Sequence, residues 1–184
     1  MPTGEITYDV HSKTYVAIFH TARHLLITGE RYESGSVLNL QAATVFFAFA
    51  FEAYLNHVGK EELPFWDEID RFSHQKKLTV LGKHLGFTKD ISQRPFLTMV
   101  ELFKLRNALA HGRTQNLTIT KTTDLPPPDG AVWNLLPWEQ LTPTSVRQYH
   151  DDVRAAIERI NSVRPVPDQF LWNEGMRGFT SKID

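Results

Sequence analysis

The 184-residue sequence contains no cysteine, and this absence removes several classes of protein at once. Disulfide frameworks, zinc ribbons and thiol nucleophiles all need cysteine side chains. The sequence also lacks a leader of charged and then apolar residues, so we expect a cytoplasmic protein. The longest apolar run, residues 42–50, is interrupted by Thr44 and soon followed by Glu52. It is too short to span a bilayer, and we expect no membrane association.

An excess of charge is lacking as well, because 20 Lys and Arg side chains face 21 Asp and Glu side chains, for a net charge of −1. Such a chain has no global attraction for nucleic acid, and any RNA contact must be local. No Walker-type loop or dinucleotide fingerprint occurs. His20 and His24 have a spacing that metal ligands can have, but no carboxylate accompanies them in a recognised pattern. We therefore expect neither a metal nor another cofactor.

Apolar residues recur at helical spacing and predict an all-α fold, an antiparallel bundle with short loops. Ser12 is a candidate cap for a first helix that ends at Gly29, and Gly59 is the expected stop of a second, central helix. The predicted bundle helices cover residues 12–29, 37–58, 63–72, 73–86 and 95–111.

Beyond residue 112 the helical period is lost over a long, partly extended loop, residues 113–142, in which residues 117–121 alternate like a strand. Thr142 and Pro143 then begin a C-terminal helix, residues 143–163. We expect residues 1–163 to form a single domain with its bundle core at about residues 12–112. The aromatic tail, residues 164–184, is expected to dock on this domain or on a partner.

The most informative stretch is residues 102–112, LFKLRNALAHG, at the end of the last bundle helix. Arg106 falls within an apolar arc formed by Leu102, Leu105 and Leu109, so its guanidinium should be half-buried. Asn107 and His111 are four residues apart and stack on an adjacent, exposed face. Gly112 is the expected left-handed stop. A permanent guanidinium fork beside an imidazole that exchanges protons near neutral pH points to a phosphodiester ligand.

The run RNALAHG, preceded about fifty residues earlier by the helix VFFAFAFEAYLNHVG, resembles the HEPN superfamily. That family's signature is an arginine, usually followed by a polar residue, with four to six residues between the arginine and a histidine. Arg106, Asn107 and His111 match it at the shortest spacing, and the similarity covers residues from about 14 to 111. HEPN domains are helical bundles, commonly dimeric. Many are metal-independent endoribonucleases of toxin–antitoxin, CRISPR-linked or other defence and RNA-processing systems, while others have no known activity.

The resemblance implies that Arg106, Asn107 and His111 are catalytic. Glu52 lies on the most apolar helix and needs a partner, for which Arg106 is the nearest candidate. Glu52 would then orient Arg106, or the two would form a purely structural ion pair. His111 would serve as general base or general acid in a transesterification that yields a 2′,3′-cyclic phosphate. One histidine cannot easily do both, which favours a homodimer with a composite site.

The leading hypothesis is thus a metal-independent endoribonuclease acting on single-stranded or loop RNA, with an antitoxin or another protein as a candidate partner. RNA contacts are expected near the motif and on the preceding helix, at Lys104, Arg113, Lys76 and Lys77. The alternative for these lysines is an ordinary solvated helix face. The alternative function is a non-catalytic HEPN-like dimeric module that binds a partner protein, a nucleotide or RNA.

Overall fold

The fold was analysed in a computed structural model, which describes residues 5–10, 12–112, 138, 141–174 and 177–182. These ranges hold six helices and two strands. In chain order the elements are β1 (Glu5–Val10), α1 (Thr14–Arg31), α2 (Ser36–Glu62), α3 (Trp66–Ile69), α4 (His74–Leu85), α5 (Phe96–Ala110), α6 (Pro143–Ser162) and β2 (Arg177–Lys182). The predicted helical class is confirmed for the bundle.

Helix α2 is the centre of the bundle, as its sequence predicts. It contacts each of the other five helices of the described chain. Apolar side chains are buried on several of its sides, and they include Leu40, Phe47, Phe51, Tyr54, Leu55 and Val58. A helix that is apolar around most of its circumference needs neighbours around most of its circumference.

The same apolar character makes α2 long and hydrophobic enough to cross a membrane by length and composition. This is weak evidence for a membrane span, because the core helix of a bundle meets the same criterion. The contacts of α2 with all five other described helices are those of such a core helix.

Three predicted helix boundaries are found where the sequence indicates them. The Ser73 hydroxyl accepts a bond from the Lys76 amide at the start of α4, and α4 ends at Gly86 in the left-handed conformation, with φ +70°. Thr142 begins α6 with a reciprocal capping box that it forms with Ser145. Each of these caps gives a hydrogen-bond partner to backbone groups that a helix end leaves without one.

Other predicted boundaries are wrong. Helix α1 continues past the expected stop at Gly29 to Arg31, and of the predicted helix 63–72 only Trp66–Ile69 is helical. Helix α1 begins at Thr14, and Lys13, rather than Ser12, occupies the capping position without a side-chain cap. The Lys13 ammonium instead bonds the Asp168 carboxylate and the Phe170 carbonyl oxygen. Helix α2 does not stop at Gly59 but continues to Glu62.

Gly59 has a packing role within α2. A Cβ atom at this position would lie 2.2 Å from the Trp66 ring, closer than atoms can approach. The absent side chain lets the buried indole of α3 lie directly against the α2 backbone. Gly59 therefore marks a close helix contact rather than a helix end.

The segment after α6 lies on the bundle. Leu171 is buried, its carbonyl oxygen accepts a 2.5 Å bond from the Tyr15 hydroxyl, and the Asn161 side chain bonds the backbone of Asp168. Farther along, β2 pairs with β1 in antiparallel register, with Glu5 opposite Lys182. This two-stranded ribbon is not predicted by the sequence.

Most of the predicted loop lies outside the described residues, including the strand-like residues 117–121. Within it the structure describes Trp138, whose carbonyl oxygen accepts a 3.3 Å bond from the Gln41 side chain of α2.

We predict that Gly59→Ala destabilises the protein by about 1–3 kcal/mol, because the new methyl group overlaps the Trp66 ring. Helix propensity alone would favour alanine by about 1 kcal/mol. Urea unfolding followed by circular dichroism measures the change. A Trp66→Leu background is the control, since the cost of Gly59→Ala should shrink there. An equal cost in both backgrounds would exclude the indole contact as its cause.

Candidate functional site

The motif lies at the end of α5, and the side chains of this helix lose burial toward that end. Met99, Leu102 and Phe103 are buried, whereas Leu105 and Leu109 are only half-buried. The predicted leucine stripe therefore contributes to the core chiefly through Leu102.

The helix ends at His111, whose amide donates a 2.9 Å bond to the Asn107 carbonyl oxygen. Gly112 is not the predicted left-handed stop, because its φ lies outside that region. His111 already leaves the helix with φ −119° and ψ 22°. A Cβ atom at Gly112 would instead lie 3.0 Å from the Ala108 carbonyl oxygen, so this glycine permits a tight backbone approach.

Arg106 is half-buried, as predicted, and its guanidinium is held by two acceptors. Its Nη2 donates a 2.6 Å bond to Glu52 Oε2 on α2, and its Nη1 donates a 2.9 Å bond to Asn107 Oδ1. The contact between Arg106 and Glu52 expected from the sequence is therefore present. A guanidinium bonded on two sides has a fixed direction.

Aromatic rings also surround this guanidinium. Its central carbon lies 5.5 Å from the Phe49 ring centroid and 5.2 Å from that of Phe103. Arg106 Nε is buried and has no hydrogen-bond partner among the described residues. The contacts with the two aromatic rings stabilise the cation, and burying a guanidinium against them costs little hydration because it is weakly hydrated.

Lys77 is the unexpected member of the site. Only 2% of this residue is exposed, and its ammonium donates a 2.8 Å bond to Asn56 Oδ1. The same ammonium lies 3.8 Å from Glu52 Oε1. The Glu52 carboxylate therefore faces two cations, Lys77 from α4 on one oxygen and Arg106 from α5 on the other.

The burial of Lys77 corrects its prediction as an RNA contact. Its neighbours in sequence are charged, but its own side chain points into the bundle, where Asn56 and Glu52 supply the acceptors that a buried ammonium requires. Lys76 and Lys104 are exposed, as an RNA contact requires. Arg113 lies outside the described residues.

His74, which packs on Phe103 as Arg106 does, is a residue of this site that sequence reasoning missed. Its ring stacks on Phe103 with 3.5 Å between centroids and a 7° angle between the planes. Burial lowers the His74 pKa to about 4, with further lowering by the charges of Arg106, Lys89 and Lys77. The ring is thus neutral at neutral pH. The only sequence signal was a histidine at the first position of a capped helix.

Asn107 and His111 are both exposed, as their place on the motif helix predicts. The structure brings Asn107 into contact with Arg106, while its recorded bond to His111 is between backbone atoms. His20, one of the two histidines at metal-ligand spacing, lies 3.2 Å from a Glu174 oxygen. Within the described ranges, no cluster of three or more candidate ligands could hold a metal ion.

The site is locally cationic although the whole chain is not. Two basic side chains, Arg106 and Lys77, share one carboxylate, that of Glu52. Arg106 bonds the exposed amide of Asn107, and His111 is exposed at the end of the same helix. An arrangement of this kind can attract a phosphate anion and supply a proton-exchanging group beside it.

We predict that Glu52→Gln is more destabilising than Arg106→Gln. Loss of Arg106 leaves Glu52 beside Lys77, whereas loss of the carboxylate leaves two cations with no carboxylate between them. The expected costs are about 2–4 kcal/mol for Glu52→Gln and about 1–2 kcal/mol for Arg106→Gln. Urea unfolding of both variants measures them. The reverse order would show that Lys77 does not share this carboxylate.

We predict that His74 makes the folded state less stable in acid. Its folded pKa of about 4 lies below the ordinary value near 6.5, so the unfolded chain binds the proton first. Its contribution is complete above about pH 6.5 and is lost as the pH falls toward 4, by about 1–2 kcal/mol once partial solvent exposure is allowed for. Unfolding of wild type and His74→Gln across this window measures the effect. A difference between the two proteins that does not change with pH would contradict it.

In comparisons with known proteins, no family model, no curated protein and no solved structure matches the chain. The resemblance to HEPN domains therefore rests on Arg106, Asn107 and His111, and on the helix that carries Glu52.

Proposed function

We propose that the protein is a metal-independent endoribonuclease of the HEPN type, acting on single-stranded or loop RNA from a composite site in a homodimer. One observation carries the proposal. Arg106 is fixed in direction by Glu52 and Asn107 at the end of the helix that exposes His111. An oriented guanidinium can stabilise charge on a phosphate, and an exposed imidazole at the end of the same helix can transfer a proton.

The reaction needs only the RNA strand and two proton-transfer groups. A His111 imidazole takes the proton of a ribose 2′-hydroxyl, and the 2′-oxygen forms a bond to phosphorus. The bond from phosphorus to the 5′-oxygen breaks, and that oxygen receives a proton from an imidazolium. The products are a 2′,3′-cyclic phosphate and a free 5′-hydroxyl. Arg106 stabilises the negative charge that builds on the phosphate oxygens.

The dimer follows from the need for two histidines. His74 does not serve as the second one, because its Nε2 is buried and its ring lies flat on Phe103. Two copies related by a two-fold axis through the ends of α5 would supply two His111 rings and two Arg106 guanidinia to one cleft. The exposed positions of Asn107 and His111 support this arrangement, since nothing in the described bundle covers them.

A second function, a non-catalytic HEPN-like dimeric module that binds a partner protein, nucleotide or RNA, is favoured by a different observation. Both terminal nitrogens of Arg106 already donate hydrogen bonds within the protein. Each of these nitrogens keeps one further N–H, and a phosphate would have to bond there beside Asn107 and Glu52, whereas a structural arginine needs no further ligand. The two functions differ in whether the purified protein cleaves RNA.

We predict that His111→Ala abolishes RNA cleavage while it leaves the fold and the dimer intact, because an exposed imidazole at a helix end contributes little packing. Purified protein is incubated with cellular RNA in the presence of a chelator, and the product ends are examined for 2′,3′-cyclic phosphate. His84→Ala is the matched control, since His84 is an exposed histidine in the last turn of α4. It should cleave like wild type.

Each result of this assay decides between the two functions. Cleavage by wild type and His84→Ala, but not by a folded His111→Ala, supports the nuclease. Full activity of His111→Ala would remove His111 from the mechanism. Absence of cleavage by folded, dimeric wild type would favour the binding module. Sedimentation measures the oligomeric state, and a wild type that cleaves RNA as a monomer would rule out the composite site.

A further inference from the structure

A cavity of about 320 Å³ lies between α1 and α6, next to the segment that follows α6. Five basic side chains line it, and no acidic side chain is among the described residues of its wall. These five are Arg23, Arg147, Arg154, His20 and His150. None of them belongs to the site formed by α2, α4 and α5, so the cavity is a separate feature of the fold.

Two of the arginines are held from outside the cavity. Glu30 accepts bonds from Nε and Nη2 of Arg147, and Glu158 accepts a 2.8 Å bond from Nε of Arg154. These carboxylates do not line the cavity. They leave Nη1 of Arg147 and both terminal nitrogens of Arg154 without a partner in the described part of the chain. A guanidinium held in this way is already oriented when a ligand arrives, which lowers the entropic cost of binding.

Arg23 completes the set from α1. Its side chain is exposed, and no carboxylate of the described residues lies within 4.0 Å of it. The Nδ1 atoms of the two histidines face carboxylates, at 3.2 Å between His20 and Glu174 and at 2.7 Å between His150 and Asp151. These contacts fix both rings. The wall therefore presents several hydrogen-bond donors from two helices toward one space.

Two aromatic rings, Phe19 and Trp172, form the rest of the wall, with 4.7 Å between their centroids. The central carbon of the Arg154 guanidinium lies 5.9 Å from the centroid of the Trp172 ring. Arg154 is therefore oriented both by this ring and by Glu158. A concave space of this volume has the size of a site for a small molecule, and its basic lining suits an anionic one.

We propose that this cavity binds the phosphate group of a small phosphorylated molecule. Arginine forks match the geometry of phosphate oxygens, and three of them converge here from two helices. An RNA strand carries the same phosphate chemistry, but a volume of about 320 Å³ matches a compact ligand rather than an extended backbone. The proposal does not depend on ribonuclease activity, because the two sites have no residue in common.

Isothermal titration calorimetry with inorganic phosphate and with pyrophosphate tests the proposal. Pyrophosphate should bind more tightly than phosphate, because it can engage more than one guanidinium. Arg23→Gln and Arg154→Gln should each weaken pyrophosphate binding by about tenfold, the loss of one charge-assisted contact. Both side chains are exposed, so both variants are expected to fold, and circular dichroism checks this.

The matched control is Arg159→Gln. Arg159 also lies on α6 and is exposed, but it packs over Phe96 and does not line the cavity. Its loss should change the affinity by less than about twofold, as expected for a screened charge outside the site.

Loss of affinity in the two cavity variants, but not in Arg159→Gln, supports the proposal. No binding of pyrophosphate at millimolar concentration overturns it, and so does an equal loss in all three variants, which would indicate non-specific attraction. A single-stranded oligoribonucleotide is titrated in parallel. If it binds with the same dependence on Arg23 and Arg154 while pyrophosphate does not bind, the ligand is an RNA strand and the small-molecule proposal is overturned.

Discussion

The carboxylate of Glu52 lies on a helix that the rest of the bundle surrounds, and a charge in that position must be matched by charges from other helices. The matching cations come from two different elements, Lys77 from α4 and Arg106 from α5. One carboxylate therefore relates three helices to one another. Apolar packing can be satisfied by several rotations of a helix about its axis, whereas an ion pair with hydrogen-bond geometry is satisfied by few.

The same carboxylate determines how the motif is displayed. Glu52 bonds one terminal nitrogen of the Arg106 guanidinium and Asn107 bonds the other, while the central carbon lies over the rings of Phe49 and Phe103. The surplus of positive charge around Glu52 also reaches His74, where it adds to burial in lowering the pKa. A chain with a net charge of −1 thus contains a cationic neighbourhood, and global charge is a poor guide to it.

The features that follow from local sequence could be predicted. Periodicity located the helices, and Ser73, Gly86 and Thr142 marked helix ends through interactions with residues close by in the chain. The contact between Arg106 and Glu52 was also accessible, because a charge on an apolar helix requires a partner.

Features that depend on a distant neighbour could not be predicted. A glycine that ends a helix and one that admits a ring look alike in sequence, and at Gly59 the position of Trp66 decides between them. The sequence around Lys77 is typical of a solvated lysine, and only the fold shows that Asn56 of α2 lies beside its ammonium. The arginines of the α1–α6 cavity are scattered over two helices that are far apart in sequence, and only the fold brings them together.

The pairing of β1 with β2 makes neighbours of segments that are synthesised far apart in time. On the ribosome β1 emerges before the six described helices, and the strand that it pairs with in the described structure emerges after them. The contacts of Lys13 and Tyr15 with the segment after α6 are subject to the same delay. While the bundle is being made, the backbone groups of β1 that later bond β2 remain open to other strands, including those of a neighbouring nascent chain. The edge of β1 is therefore closed only after β2 has been made.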